Sequence, residues 1–202
     1  MKKVLVLSLL GLMCFTFSAS AQEALAPATG NVANLESGFP TAIIDTTTTP
    51  QGAWEVGVAG GYVTNGAVYE TAMLQVNYGI LENLQASIAW DAIVGEGKVA
   101  GNGDTTLAVT WAAIAEADML PSMGVLVGGR LPSGDGFTGY DGTIAGVATK
   151  TVGEARFHLN AGYMTIGDNT SGLERADADF VALGMDYPIY DNLILIVDGY
   201  SK

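Results

Sequence analysis

Three observations predict an all-β fold, an antiparallel up-and-down transmembrane β-barrel with nine or ten strands present. Large apolar residues alternate with small, hydroxylated or amide residues in run after run. Glycine is abundant, at 27 residues, while Asp, Glu, Lys and Arg make up only 14% of the chain. Beyond residue 21 no stretch approaches the roughly 20 apolar residues of a spanning helix. The clearest hairpin is 103–135, GDTTLAVTWAAIAEADMLPSMGVLVGGRLPSGD. In its first half Leu107, Val109 and Trp111 alternate with Thr106, Ala108, Thr110 and Ala112. In its second half Met123, Val125 and Val127 alternate with Ser122, Gly124 and Gly128, with Leu126 the exception. A period of two is the signature of a strand. A soluble sandwich puts charge on its wet face. Here the second face is small and mostly uncharged, as in a barrel that turns apolar residues to lipid and small or polar ones to a lumen.

The chain opens with Lys2 and Lys3, an apolar run from Val4 to Phe17, and Ala19-Ser20-Ala21. That is the order of a signal peptide and its small-residue cleavage site. Residues 1–21 therefore read as a removed signal, 22–52 as an N-terminal leader before the first full strand, and 53–202 as the barrel, in part. Cys14 leaves with the signal, so neither a disulfide nor a thiolate zinc site is expected. Without Lys2 and Lys3, six bases face 21 acids, a net charge of −15. Such a balance disfavours nucleic acid, whose phosphates want a basic face.

Within the leader, Ile43, Ile44 and Thr46 to Thr49 suggest a short strand closed by Pro50 and Gly52. Nine strands are then predicted: 53–64, 68–78, 84–92, 104–113, 122–131, 143–152, 155–165, 179–187 and 193–200. Each approaches the ~9–11 residues of a tilted membrane strand. Asn65-Gly66 is a tight-hairpin signal. The connections 79–83, 114–121, 153–154 and 188–192 are short, whereas 93–103, 132–142 and 166–178 are longer and polar. Short turns on one side and longer loops on the other fit an outer-membrane barrel. Nine strands starting upward at Ala53 end on the far side, and single-chain barrels usually have even numbers. The expectation is therefore an incomplete barrel, closed by further strands or by partners. Counting 42–48 as a tenth strand would balance the number but put the N-terminus outside.

With the short turns taken as periplasmic, the aromatics test the register. Trp54, Tyr78, Trp111 and Tyr187 fall at periplasmic strand ends on the lipid-facing register. Tyr62, Trp90 and Tyr163 fall at the outer ends, so two aromatic girdles are predicted. The opposite register offers Thr71, Gln75 and Asn77, then Gln85, Ser87 and Asp91, then Arg156, His158 and Asn160. Strand 179–187 is less clean, because Phe180 shares a face with Asp186, and 143–152 is ambiguous.

The run Tyr78-Gly79-Ile80-Leu81-Glu82-Asn83-Leu84, the pair Gly103-Asp104 and the run Leu131-Pro132-Ser133-Gly134-Asp135 carry a resemblance. Over about residues 39 to 200 the chain resembles the bacterial outer-membrane family named for the MetA pathway of phenol degradation. The resemblance implies an outer-membrane barrel that passes small, often aromatic, compounds. It supplies no catalytic residues.

No catalytic, cofactor or metal site is expected. Gly95-Glu96-Gly97-Lys98-Val99-Ala100 loosely matches G-x-G-x-x-A, but a strand follows where a nucleotide site needs a helix. His158 is the only histidine and lacks a serine at the neighbouring same-face positions. Arg130, Lys150 and Arg156, with His158, gather on three consecutive strands and form a candidate basic cluster. That cluster would attract an anionic solute. The alternative is ion pairing inside with Asp91, Asp104, Asp186 or Asp198. The loop acids Glu96, Asp135, Asp141, Asp168, Glu174 and Asp177 lack calcium-loop spacing. The expected partners are outer-membrane lipid, lipopolysaccharide and a small-molecule solute. The function read from the sequence is a channel or transporter component, ahead of a plugged structural barrel and a lipid-modifying barrel enzyme.

Overall fold

The structure, a computed structural model, describes residues 36–37, 40–41, 43–64, 68–94, 101–134, 139–167, 177–190 and 193–201. Two-residue strands β1 (Glu36–Ser37) and β2 (Pro40–Thr41) pair in parallel. Nine long strands follow: β3 (Trp54–Thr64), β4 (Val68–Leu81), β5 (Leu84–Val94), β6 (Gly101–Ile114), β7 (Ser122–Leu131), β8 (Asp141–Val152), β9 (Ala155–Thr165), β10 (Asp177–Tyr190) and β11 (Leu193–Ser201). Each pairs antiparallel with its sequence neighbour, giving one up-and-down sheet in the order β11 to β3. The sheet is open, with β3 and β11 as its edges. No helix occurs among the described residues. All nine predicted strands are present, most of them longer by a few residues, because ladder hydrogen bonds continue past the point where the alternation fades. The Asn65-Gly66 turn and the 95–100 loop lie outside the described residues.

One face is apolar across every strand. Val58, Leu74, Ile88, Val109, Val127, Ile144, Leu159, Leu183 and Val197, one from each of β3 to β11, are all exposed. The other face carries Gln75, Asn77, Gln85, Asp104, Thr110, Thr149, His158, Asn160 and Asp186, all buried. The ambiguous strand β8 is settled by burial: Ala145, Val147 and Thr149 face in, and Ile144 faces out. Direct cross-strand partners run Tyr78, Ala86, Val109, Val127, Ile144, Tyr163. That line starts near the short-turn end of β4 and finishes near the opposite end of β9. Barrel curvature requires a stagger of this kind.

The leader departs from expectation. Residues 43–50 join no ladder and do not lie ahead of the sheet. They form a strap across its polar face. Ile43 packs in a cluster with Ala182 of β10 and Ile196 of β11, while the Thr49 hydroxyl reaches Glu55 of β3 at 3.4 Å. Six residue steps extend at most about 22 Å. Eight strand spacings in a flat sheet would measure about 38 Å. Polar side chains are buried along this face from β4 to β10 with no second sheet or helix over them among the described residues, so the sheet bends around the strap and its polar face is concave.

The strap is admitted by two close approaches. A Cβ on Gly184 would meet Ile43 Cδ1 at 2.2 Å, so the bare backbone of β10 makes the seat for Ile43. A Cβ on Gly79 would meet the Pro50 carbonyl oxygen at 2.1 Å. There the strap leaves the concave face through a parallel bridge between Gln51 and Gly79, and the Gly52 N–H donates to the Gly79 carbonyl at 2.8 Å.

Candidate functional site

The site grows from the contacts between strap and concave face, near the short-turn ends of the strands. Ile44 is buried with Leu126 and Val147, and Ala108 packs alongside. Its backbone N–H donates to Asn160 Oδ1 at 2.7 Å, and its carbonyl accepts from Asn160 Nδ2 at 2.8 Å. One side-chain amide thus satisfies both backbone groups that a neighbouring strand would otherwise pair. Thr46 N–H donates to Thr149 Oγ1 at 3.3 Å, and its hydroxyl contacts Ser122 Oγ. Thr49 gives both its N–H and its hydroxyl to Gln85 Oε1, at 2.7 and 2.8 Å. The floor is itself tied along the strands by Gln75 to Asn77 and by Gln85 to Ser87, each 3.0 Å.

At the centre lies an ion-paired set. Arg156 donates through Nε and Nη2 to the two oxygens of Asp186, at 3.1 and 2.6 Å, the bidentate fork of a well-held guanidinium. Its Nη1 donates to Asp45 Oδ2 of the strap at 2.8 Å. Asp45 is fully buried and also accepts from the Thr47 N–H and hydroxyl. Burial pushes the Asp45 carboxyl up to about 6, against the opposing pull of the Arg156 guanidinium. His158 lies within hydrogen-bond distance of Asp186 Oδ2 at Nε2, 2.9 Å, and of Thr149 Oγ1 at Nδ1, 3.1 Å.

The order hydroxyl, imidazole, carboxylate is also that of acyl-transfer triads. Here the Thr149 hydroxyl is buried beneath the strap, whose Thr46 N–H points at it. Asp186 is shared with Arg156. The chain of contacts therefore binds strap to sheet.

The four residues of the candidate basic cluster do not form one site. Arg156 and His158 meet through Asp186. Arg130 faces in at the long-loop end, between Asp104 at 3.5 Å and Asp141 at 2.6 Å. Asp104 and Asp141 accept the N–H groups of Gly134 and Gly167, so this second set ties two long connections to the sheet. Lys150 belongs to the other register of β8, beside Thr149, and turns to the 115–121 connection. There it pairs with Glu116 at 2.9 Å and donates to the carbonyls of Ala117 and Asp118. Its hydrogen bond lowers the Glu116 carboxyl below the usual range. Consecutive strands implied neighbours, but the stagger and the period of two separate them.

Six of the seven predicted girdle residues belong to the convex register. Trp54, Trp90, Trp111, Tyr163 and Tyr187 are exposed there, and Tyr78 packs against Trp54 with ring centroids 4.5 Å apart and planes tilted by 40°. The Tyr62 side chain lies outside the described residues, as do those of Asp91, Glu96, Asp135, Asp168 and Glu174. Among the described residues no three His, Cys, Asp or Glu lie together as a metal set. Asp45, Asn160 and Gln85 were not singled out as site residues from the sequence. The available signal was Ile43-Ile44, an apolar pair inside a polar leader that needs cover. No family model, curated protein or solved structure matches the chain.

Proposed function

We propose that the chain is the spanning part of a bacterial outer-membrane β-barrel, exported by residues 1–21, that serves as a channel or transporter component for small solutes. The observation that carries this is the inversion of the usual soluble pattern. An apolar convex face runs over all nine strands while amides, hydroxyls and charges are buried on the concave side. Monomeric soluble proteins rarely expose a contiguous apolar patch beyond a few hundred Å². Lipid and lipopolysaccharide would cover that face, with aromatic rings at its margins. The concave side, lined by Arg156, His158 and amides, suits small anionic or polar aromatic solutes. The resemblance to the MetA-pathway family supports the same reading.

A second reading, a structural barrel with its interior filled, is favoured by the strap itself. Reconstitution into planar lipid bilayers separates the two. Discrete conductance steps are expected of a channel. Full insertion with no conductance in any solution would favour the filled barrel. A protein that stays monomeric in buffer without detergent would overturn both.

A further inference from the structure

We infer that Arg156 is a carboxylate-binding site of the barrel interior, filled here by Asp45 of the strap, and that a small soluble carboxylate takes the same place by exchange and releases the strap. The inference rests on the barrel reading for its setting and on the strap geometry for its substance. Arg156 is held by Asp186 through Nε and Nη2, which fixes the guanidinium plane. The edge left facing the strap is Nη1, 2.8 Å from Asp45 Oδ2 and 3.4 Å from Thr47 Oγ1. The fork is taken by Asp186, and Nη1 meets a single oxygen of the second carboxylate as a charge-assisted donor held in place.

Asp45 behaves as a tethered ligand. Its further donors, the N–H and hydroxyl of Thr47, come from the strap and travel with it. The sheet holds the carboxylate through Arg156, and the strap around it joins no ladder between residues 43 and 50. Its other anchors include side-chain contacts from Asn160, Thr149 and Gln85 and the apolar seats of Ile43 and Ile44. A carboxylate arriving from solution restores the charge opposite Arg156 that Asp45 vacates. The exchange therefore avoids leaving a buried guanidinium edge without its anion, an otherwise costly state. The class of ligand is a small monocarboxylate, able to reach a site that now accommodates one aspartate side chain.

The test measures release of the strap directly. Ile43→Cys, in a chain whose Cys14 is replaced by alanine, puts a thiol at a position that is 0% exposed. Maleimide labelling of the folded full chain in detergent is followed in sodium acetate and in sodium chloride of equal ionic strength. Acetate should raise the labelling rate several-fold and saturably, and chloride should not. Asp45→Asn in the same background should label fast without acetate and gain nothing from it. Thr49→Cys, buried at the other end of the strap, serves as a second reporter if Ile43→Cys folds poorly. Equal rates in acetate and chloride, or slow labelling of the Asp45→Asn chain, overturn the inference. Insertion into vesicles is scored separately. Failure there strikes the barrel reading, whereas insertion with flat labelling strikes the carboxylate site alone.

Discussion

Asn160 is 1% exposed, and its amide both donates to and accepts from the backbone of Ile44. Replacing it with leucine leaves a buried N–H and a buried carbonyl unpaired, at about 1–3 kcal/mol for each group. Asn160→Leu should therefore lower the urea midpoint of the refolded protein clearly. Asn160→Asp, which keeps the acceptor but loses the donor, should lower it less. Thr110 is the opposite case. It is 2% exposed, and its hydroxyl has no hydrogen-bond partner among the described residues. Thr110→Val keeps the shape and removes the orphan hydroxyl, so the midpoint should hold or rise. A clear fall with Thr110→Val would show that the hydroxyl is satisfied in solution.

At the scale of elements, the convex face and the strap each make a claim. Val109 lies mid-strand on β6, 43% exposed on the apolar face. In lipid, Val109→Lys should cost about 2–4 kcal/mol of folding into vesicles. Were that face wet, the same change would stay within about 0.5 kcal/mol. Gly79→Val should dislodge the strap where it leaves the sheet, because any Cβ there meets the Pro50 carbonyl. Faster maleimide labelling at Ile43→Cys in the Gly79→Val background is the expected result. The strands were legible because burial of one face imprints a period of two on every one of them. The strap was not. Residues 43–50 carry no periodicity, and their polar partners are single amides, hydroxyls and charges scattered from Glu55 to Asn160. Local sequence has no mark for a contact between Ile44 and Asn160, 116 positions away. The basic cluster was half legible for the same reason. Adjacency of strands is a local property, whereas the height of Arg130 above Arg156 depends on stagger accumulated across the sheet.

For the whole molecule, three tryptophans report the setting. Trp54 and Trp111 lie towards the short-turn ends, and Trp90 lies in the other half of β5, all exposed on the convex face. If the barrel crosses a bilayer, rings at the girdles sit near the two headgroup levels. Chains retaining one tryptophan each should be quenched more by lipids brominated near the headgroup than by lipids brominated near the chain ends. Stronger quenching by the deep bromines would move the girdles off the interfaces. Absence of quenching by either would remove the sheet from the bilayer.

The strap also dictates an order of events during assembly. It is synthesised before every long strand, yet its holders include Asn160, Arg156, Ala182 and Ile196 from the last three. Until β9 to β11 exist, Ile43 and Asp45 lack their seats on Ala182, Ile196 and Arg156. Closing the loop from Ile44 to Asn160 adds only a few tenths to a kcal/mol over shorter loops, since its cost grows slowly with length. Timing, more than energy, is then the hazard. The protein resembles a ship whose engine is laid down first and held by the plates added last.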